Sequence, residues 1–332
     1  MPAKLKTPNT RIKLFYPGVE KILKNRSENF DRGQTAKDLK RWRKIRQAFK
    51  EKDFEQITGI RNSPALKKAV ILFLTAREPD LRVKALDKIK NYLKTPSGAG
   101  FSKDNKKKLL NLASLAIYDP NEEISAQAIS LCGTYKRESA LLGIIDAANS
   151  PSKKIRTHAV LALTDFDSPE VVMPLIKAFN SLEFSNETEL QLGRIITECF
   201  AKIYSEETEE FISQQLTENN NDKILLEVLR GLQRGLKSDR IEMLCHHINA
   251  LYSRTKNLEV KLNTIALLAR GHEGSHHILL SHFPYETPNV KIRIVEILLL
   301  IGDTHTIRSL KLILAREKNK EVLEFCRKEH LI

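Results

Sequence analysis

One stretch of the chain has residue types whose spacing could do metal chemistry. His272-Glu273-Gly274-Ser275-His276 satisfies HExxH, and His282 follows ten residues after the first histidine. On one continuous helix the two histidines would share a face and hold a zinc ion, while the glutamate polarised a metal-bound water. A glycine seven residues after the first histidine would let the chain turn and present a third ligand. Here that position is Leu279, and no methionine follows, the last being Met243. Internal copies of a repeat place Gly271-His272-Glu273-Gly274 where Asp165-Phe166-Asp167-Ser168 and Gly302-Asp303-Thr304 occur, at a turn between helices. A motif that needs a continuous helix is therefore broken, and His272, Glu273 and His276 read as capping or surface residues with no metal held.

The remaining reactive types do not assemble either. Cys132, Cys199, Cys245 and Cys326 lie far apart, without a CxxC pair, and read as buried, reduced and inert. Only one His-Glu step is present, so a di-iron centre fed by several such steps fails on count. Gly98 and Gly100 stand in SGAG with no following Lys-Ser/Thr, and Gly231 and Gly235 fall in a helical pattern, so no phosphate cradle is expected. The chain is expected to be neither an enzyme nor a cofactor carrier.

Charge is the stronger signal. The 332 residues carry a formal net charge of +14. Residues 1–118 hold 29 Lys+Arg against 11 Asp+Glu, and residues 119–332 hold 26 against 30. Within the second part, residues 183–222 contain ten acids and only Arg194 and Lys202 as bases. A basic end raises the local concentration of polyanions through its field. Two clusters stand out there: Lys40, Arg41, Arg43, Lys44 and Arg46 in AKDLKRWRKIRQAFK, and Lys103, Lys106, Lys107 and Lys108 in KDNKKK. In the first, Leu39, Trp42, Ile45 and Phe49 keep helical spacing, which predicts a helix with one apolar face and a basic remainder.

The elements that must position these residues come from a repeat. A turn with Pro, Asp or Asn, a charged residue, an apolar helix, a second turn and a second helix recur, most clearly from Pro151, Asn257 and Pro288. Starts near 79, 120, 151, 187, 222, 257, 288 and 318 lie one helical hairpin apart. Pro79, Pro120, Pro151, Pro169 and Pro288 fall where helices are expected to begin. A single hairpin cannot bury both of its apolar faces, so neighbours must stack and share a core. TPSGAGFS at 95–102 reads as a small hinge, and NNND at 219–222 as an ordinary turn. No apolar run is long enough to span a bilayer, and MPAKLKTPNTRIKLFYPGVEKI lacks a secretory core, so a cytoplasmic chain without membrane insertion is expected.

The units resemble HEAT repeats, in particular the short type of phycobilisome lyases. The resemblance rests on the apolar-basic step after each turn, at Leu81-Arg82, Ile155-Arg156, Val260-Lys261 and Ile292-Arg293, with small residues Ala159, Ala162 and Gly302 at close contacts. It implies that each basic residue of the step bridges to an acid in an adjacent unit. The pattern departs at 187–236, where ETELQLGRIITECFAKIY lacks the proline and the basic residue.

The expected fold is all-α, a right-handed α-α superhelix of about eight hairpins over residues 61–332, preceded by a basic helical extension at 1–60. The expected function is that of a non-enzymatic adaptor holding a macromolecular partner. An acidic protein surface is the first expectation and nucleic acid the second. The basic surface of 40–46 and 103–108 would dock it, with second-helix residues Lys153, Lys154, Arg230, Arg234, Lys261 and Lys291 as a groove-side set.

Overall fold

The computed structural model describes residues 64–94 and 103–332, together with Lys24 and the helical positions 36, 37, 39, 40, 43, 44 and 47. The expected hinge at 95–102 and, from the apolar face of the leading helix, Trp42, Ile45 and Phe49 lie outside the described residues. Residues 64–94 and 103–332 form sixteen α-helices, and no strand occurs among the described residues.

They divide into two compact units, residues 1–166 and 167–332. The first contains α1 (Pro64–Thr75), α2 (Pro79–Lys94), α3 (Lys103–Ala113), α4 (Glu122–Thr134), α5 (Glu138–Ala147) and α6 (Lys153–Leu163). The second contains α7 (Val172–Asn180), α8 (Glu187–Lys202), α9 (Glu206–Glu218), α10 (Asp222–Gly235), α11 (Ser238–Arg254), α12 (Leu258–Leu268), α13 (Glu273–His282), α14 (Pro288–Ile301), α15 (Thr304–Leu314) and α16 (Lys320–Lys328). Within each unit a helix packs on its chain neighbour and on the helix two places along: α2 on α4 and α4 on α6, then α8 on α10, α10 on α12, α12 on α14 and α14 on α16. In the second unit the intervening helices stack the same way, α7 on α9, α9 on α11, α11 on α13 and α13 on α15. This is the shared core that an isolated hairpin could not build.

Short polar residues cap the starts of six of the even-numbered helices. Asn121, Asn186, Asn221, Asn257 and Asn319 each accept a hydrogen bond from a backbone N–H of the first turn, and Ser152 does so ahead of α6. These caps satisfy donors that a helix leaves unpaired. Pro79 and Pro288 open α2 and α14 as expected, but Pro120 and Pro151 stand one residue ahead of the cap, so Asn121 and Ser152 start those helices instead.

Small residues let helix backbones meet. A Cβ on Gly133 would lie 2.7 Å from the Ala162 Cβ, and one on Gly231 would lie 2.6 Å from the Arg194 carbonyl oxygen. Ala162 thus sits at a close contact, α4 against α6. Gly302 does not. It ends α14 in the left-handed region at φ +69°, with no neighbour nearer than 4.0 Å to its missing Cβ, so a backbone need and not packing selects glycine there.

Candidate partner-binding surface

The basic step of the repeat is structural, and its geometry is shared between units. Arg82, the fourth residue after the turn that starts α2, is buried with Asp119, which stands just before α4. Its Nε donates to Asp119 Oδ2 at 3.1 Å and its Nη2 to Oδ1 at 3.0 Å, while Nη1 reaches the Ala76 and Arg77 carbonyls. At the same position of α12, Lys261 donates to both Glu286 oxygens at 3.0 and 3.1 Å, and at that of α14 Lys291 donates to Glu317 at 2.6 Å. In each case the acid lies in the turn before the next helix of the stack. Two expected bridges differ. Arg156 donates to the Ser150 and Pro151 carbonyls and caps its own turn. Arg293 pairs with Glu296 on its own helix, because the step that bridges in this unit is Val290-Lys291, two residues earlier than the one the pattern suggested.

Where the pattern departs, other groups keep the stacking. The equivalent positions of α8 and α10 hold Leu190 and Leu225, and Leu225 is buried. The cation comes instead from the following helix: Arg240 on α11 donates to the carbonyls of Phe200, Ala201 and Ile203 at the end of α8. Burial lowers the Arg240 guanidinium pKa, against the pull of Glu209.

These contacts engage most of the expected groove-side set. Lys153 and Lys154 open α6, Arg230 and Arg234 lie on α10, Lys261 on α12 and Lys291 on α14, so all six stand on helices that carry the apolar-basic step or its equivalent, the first of each pair. Lys154 pairs with Glu123. Arg230 bridges Glu227 and Glu259, and Arg234 approaches Glu198 at 3.8 Å. Lys291 is buried beside Glu317. Burial alone would raise the Glu317 carboxyl, yet hydrogen bonds from Lys291, Asn319 and Lys318 hold it below the usual value.

The primary set is placed differently. Lys40, Arg43 and Lys44 are helical and exposed, Lys107 is exposed and Lys106 half-buried on α3, and Lys103 and Lys108 belong to the same helix. Arg41 and Arg46 lie outside the described residues. Lys40, Lys44 and Lys107 enter no ion pair among the described residues. The sequence pattern did not single out α2, which carries Lys84, Lys88, Lys90 and Lys94 exposed. The signal was present as four lysines off the buried stripe of Ala85, Leu86, Ile89 and Leu93.

The histidines do not converge. His272 stands just outside α13 and its Nε2 meets Asp239 Oδ1 at 2.8 Å. His276 is buried, one ring nitrogen 3.3 Å from the Ala269 carbonyl oxygen and the other 3.5 Å from the Thr306 hydroxyl. His282 meets Asn249 Oδ1 at 2.7 Å, and burial lowers its pKa. No three metal-ligating side chains gather among the described residues. His272 does not cap α13 with its side chain. Glu242 from α11 does so, accepting from the His272 and Ser275 N–H groups and from the Ser275 hydroxyl. Of the cysteines, Cys132, Cys199 and Cys326 are buried and Cys245 is half-buried; burial pushes the Cys132 thiol up to about 12.

Stacked two-helix units with interleaved ion pairs have a counterpart among known families. Residues 109–184 match the family model described as HEAT repeats. Over that span the chain is similar to HEAT repeats. The match stops at 184, just before the units whose basic step is replaced by Leu190 and Leu225. No curated protein matches the chain. Among solved structures, an engineered protein is similar at 12% identity, covering 93% of this chain and 97% of its own, with a TM-score of 0.35. Human deoxyhypusine hydroxylase in complex with glycerol is similar at 16% identity, over 79% of this chain and 93% of its own, with a TM-score of 0.32. A designed armadillo repeat protein is similar at 15% identity, over 73% and 97%, with a TM-score of 0.30. Likenesses at this level assign no activity or partner to the chain. No helix of the described residues is long and apolar enough to cross a membrane.

Proposed function

We propose that this chain is a non-enzymatic HEAT-repeat adaptor, acting in the cytoplasm, that holds a negatively charged macromolecule against its basic first third. In this reading residues 1–60 are a docking extension and residues 61–332 the repeat body. The observation that carries it is the contrast in pairing. Among the described residues Lys40, Lys44 and Lys107 are exposed without ion pairs, whereas Arg230, Lys261 and Lys291 of the groove-side set are engaged with acids. Unpaired exposed lysines contribute little to folding and set up the field that draws a partner. An acidic protein surface is the expected occupant from the repeat fold, since such arrays offer extended surfaces. Nucleic acid is the second reading, favoured by the lysine content of the surface.

The test is affinity capture with the full chain and with the K40E/K44E/K107E variant, at equal amounts of folded protein. Loss of the captured partner in the variant is expected. Recovery of the same partner at the same level would remove this surface as the docking element.

A further inference from the structure

The α1–α2 hairpin gathers charge at one end. Only Ala76 to Glu78 separate the two helices, which pack on each other, so they run antiparallel and the first half of α1 lies beside the second half of α2. That half of α1 carries exposed Lys68, and that half of α2 carries exposed Lys88, Lys90 and Lys94. The chain then returns in α3, which packs on α2 and presents exposed Lys107 in its second turn. From residue 88 to residue 113 there are seven lysines and one acid, Asp104. Lys68, Lys88, Lys90, Lys94 and Lys107 make no ion pair among the described residues.

From this placement we infer that the far end of the α1–α2 hairpin, continued by α3, docks the phosphate backbone of duplex nucleic acid. The inference rests on the reading that the first third binds the partner, and it names that partner. Three features favour the duplex over an acidic protein segment. The face is made of lysine, a point charge on a flexible stem, and not of the guanidinium fork that matches carboxylates in paired geometry. The one arginine within α2, Arg82, is buried with Asp119. Such a face responds to charge density, and duplex DNA presents one negative charge per roughly 1.7 Å of axis. Lys88 and Lys94 stand about 9 Å apart along the helix, a span that meets several phosphates. The only aromatic side chain on α2 is half-buried Tyr92, so the face lacks the stacking platform that single strands use.

The test uses the full chain, a fluorescently labelled duplex of mixed sequence and a labelled polyglutamate peptide, followed by anisotropy over a range of salt concentration. The K88A/K90A/K94A variant removes three charges from the face, and K318A/K320A/K328A removes three exposed charges near the end of the second unit. Alanine suits the helix, and a melting curve for each variant checks folding. The expected result is weaker duplex binding by the first variant for every sequence alike, with the slope of log affinity against log salt reduced by about three, and no change for the second. Equal losses in both variants would reduce the effect to net charge and overturn the face. Unchanged duplex binding by K88A/K90A/K94A would overturn it as well, leaving the reading of Lys40, Lys44 and Lys107 standing. Polyglutamate bound in place of the duplex at about 50 mM salt would overturn the nucleic-acid partner and keep the adaptor reading. Binding of neither would defeat both.

Discussion

At the scale of single residues, the ion pairs between successive repeats carry consequences out of proportion to their number. Arg82 and Asp119 are both buried, so removing either partner strands the other charge in a poorly solvating interior. Arg82→Ala and Asp119→Ala are each expected to cost about 3–5 kcal/mol. The double variant should cost less than the sum, because the second change relieves the charge exposed by the first. Urea unfolding of the three variants measures this. Glu317 gives a pH dependence. Its carboxyl titrates below the ordinary 4.5 in the folded chain, so its contribution is present above that value and is lost as pH falls through the lower, folded one. Glu317→Gln should therefore lower the urea midpoint near neutral pH and flatten its fall below about pH 4.5, the unfolded glutamate range. An unchanged acid limb in that variant would show that Lys291 and Glu317 do not couple to folding.

At the scale of elements, close approach of helix backbones sets which positions tolerate change. Gly231 of α10 faces the Arg194 carbonyl and the Thr197 side chain of α8, with 2.6 Å and 2.9 Å available to an added Cβ. The obstacle includes helix backbone, which cannot swing aside as a flexible side chain can. Gly231→Ala is expected to destabilise the second unit by about 1–3 kcal/mol, despite alanine's better helix propensity. A lower melting temperature for this variant checks it, and an unchanged or raised one would mean that α8 and α10 separate freely. The same pair of helices shows how one repeat signature can be lost. With Leu190 and Leu225 replacing the basic step, Asn caps and Arg240 from the next helix keep the stack in register.

At the scale of the whole molecule, the two units meet solvent with different electrostatics. Among the described residues, α1 to α3 of the first carry exposed lysines without ion pairs, whereas the second pairs Arg230 of α10, Lys261 of α12 and Lys291 of α14 with acids and leaves Lys318, Lys320 and Lys328 exposed and unpaired near its end. Salt screens repulsion among like charges on a surface more effectively than it weakens buried pairs. Raising salt from low to near-physiological concentration should slow amide exchange in α1 to α3 and leave α10, α12 and α14, whose Arg230, Lys261 and Lys291 are paired, little changed, as hydrogen exchange read helix by helix would show. Equal responses in the two sets of helices would contradict this difference in pairing as a physical property of the fold.

The repeat period, the all-helical class and the break in HExxH were legible in the chain itself, because helical spacing of apolar residues and turn residues at fixed intervals are local properties. Leu81-Arg82 and Val260-Lys261 bridge as the resemblance to HEAT repeats implied, whereas Ile155-Arg156 and Ile292-Arg293 carry the same local step and do not. What the local pattern could not settle was choice between equivalent local options. Val290-Lys291 and Ile292-Arg293 are both apolar-basic steps, and only the position of Glu317 in the next turn selects the first. Gly302 and Gly133 are both small residues near helix ends, yet one serves a left-handed backbone and the other a crossing helix. Which lysines remain unpaired is likewise a property of neighbours distant in sequence. Composition establishes that the first third is basic, but only packing α1, α2 and α3 together decides that Lys68, Lys88, Lys90, Lys94 and Lys107 share one end of the hairpin, where their fields add.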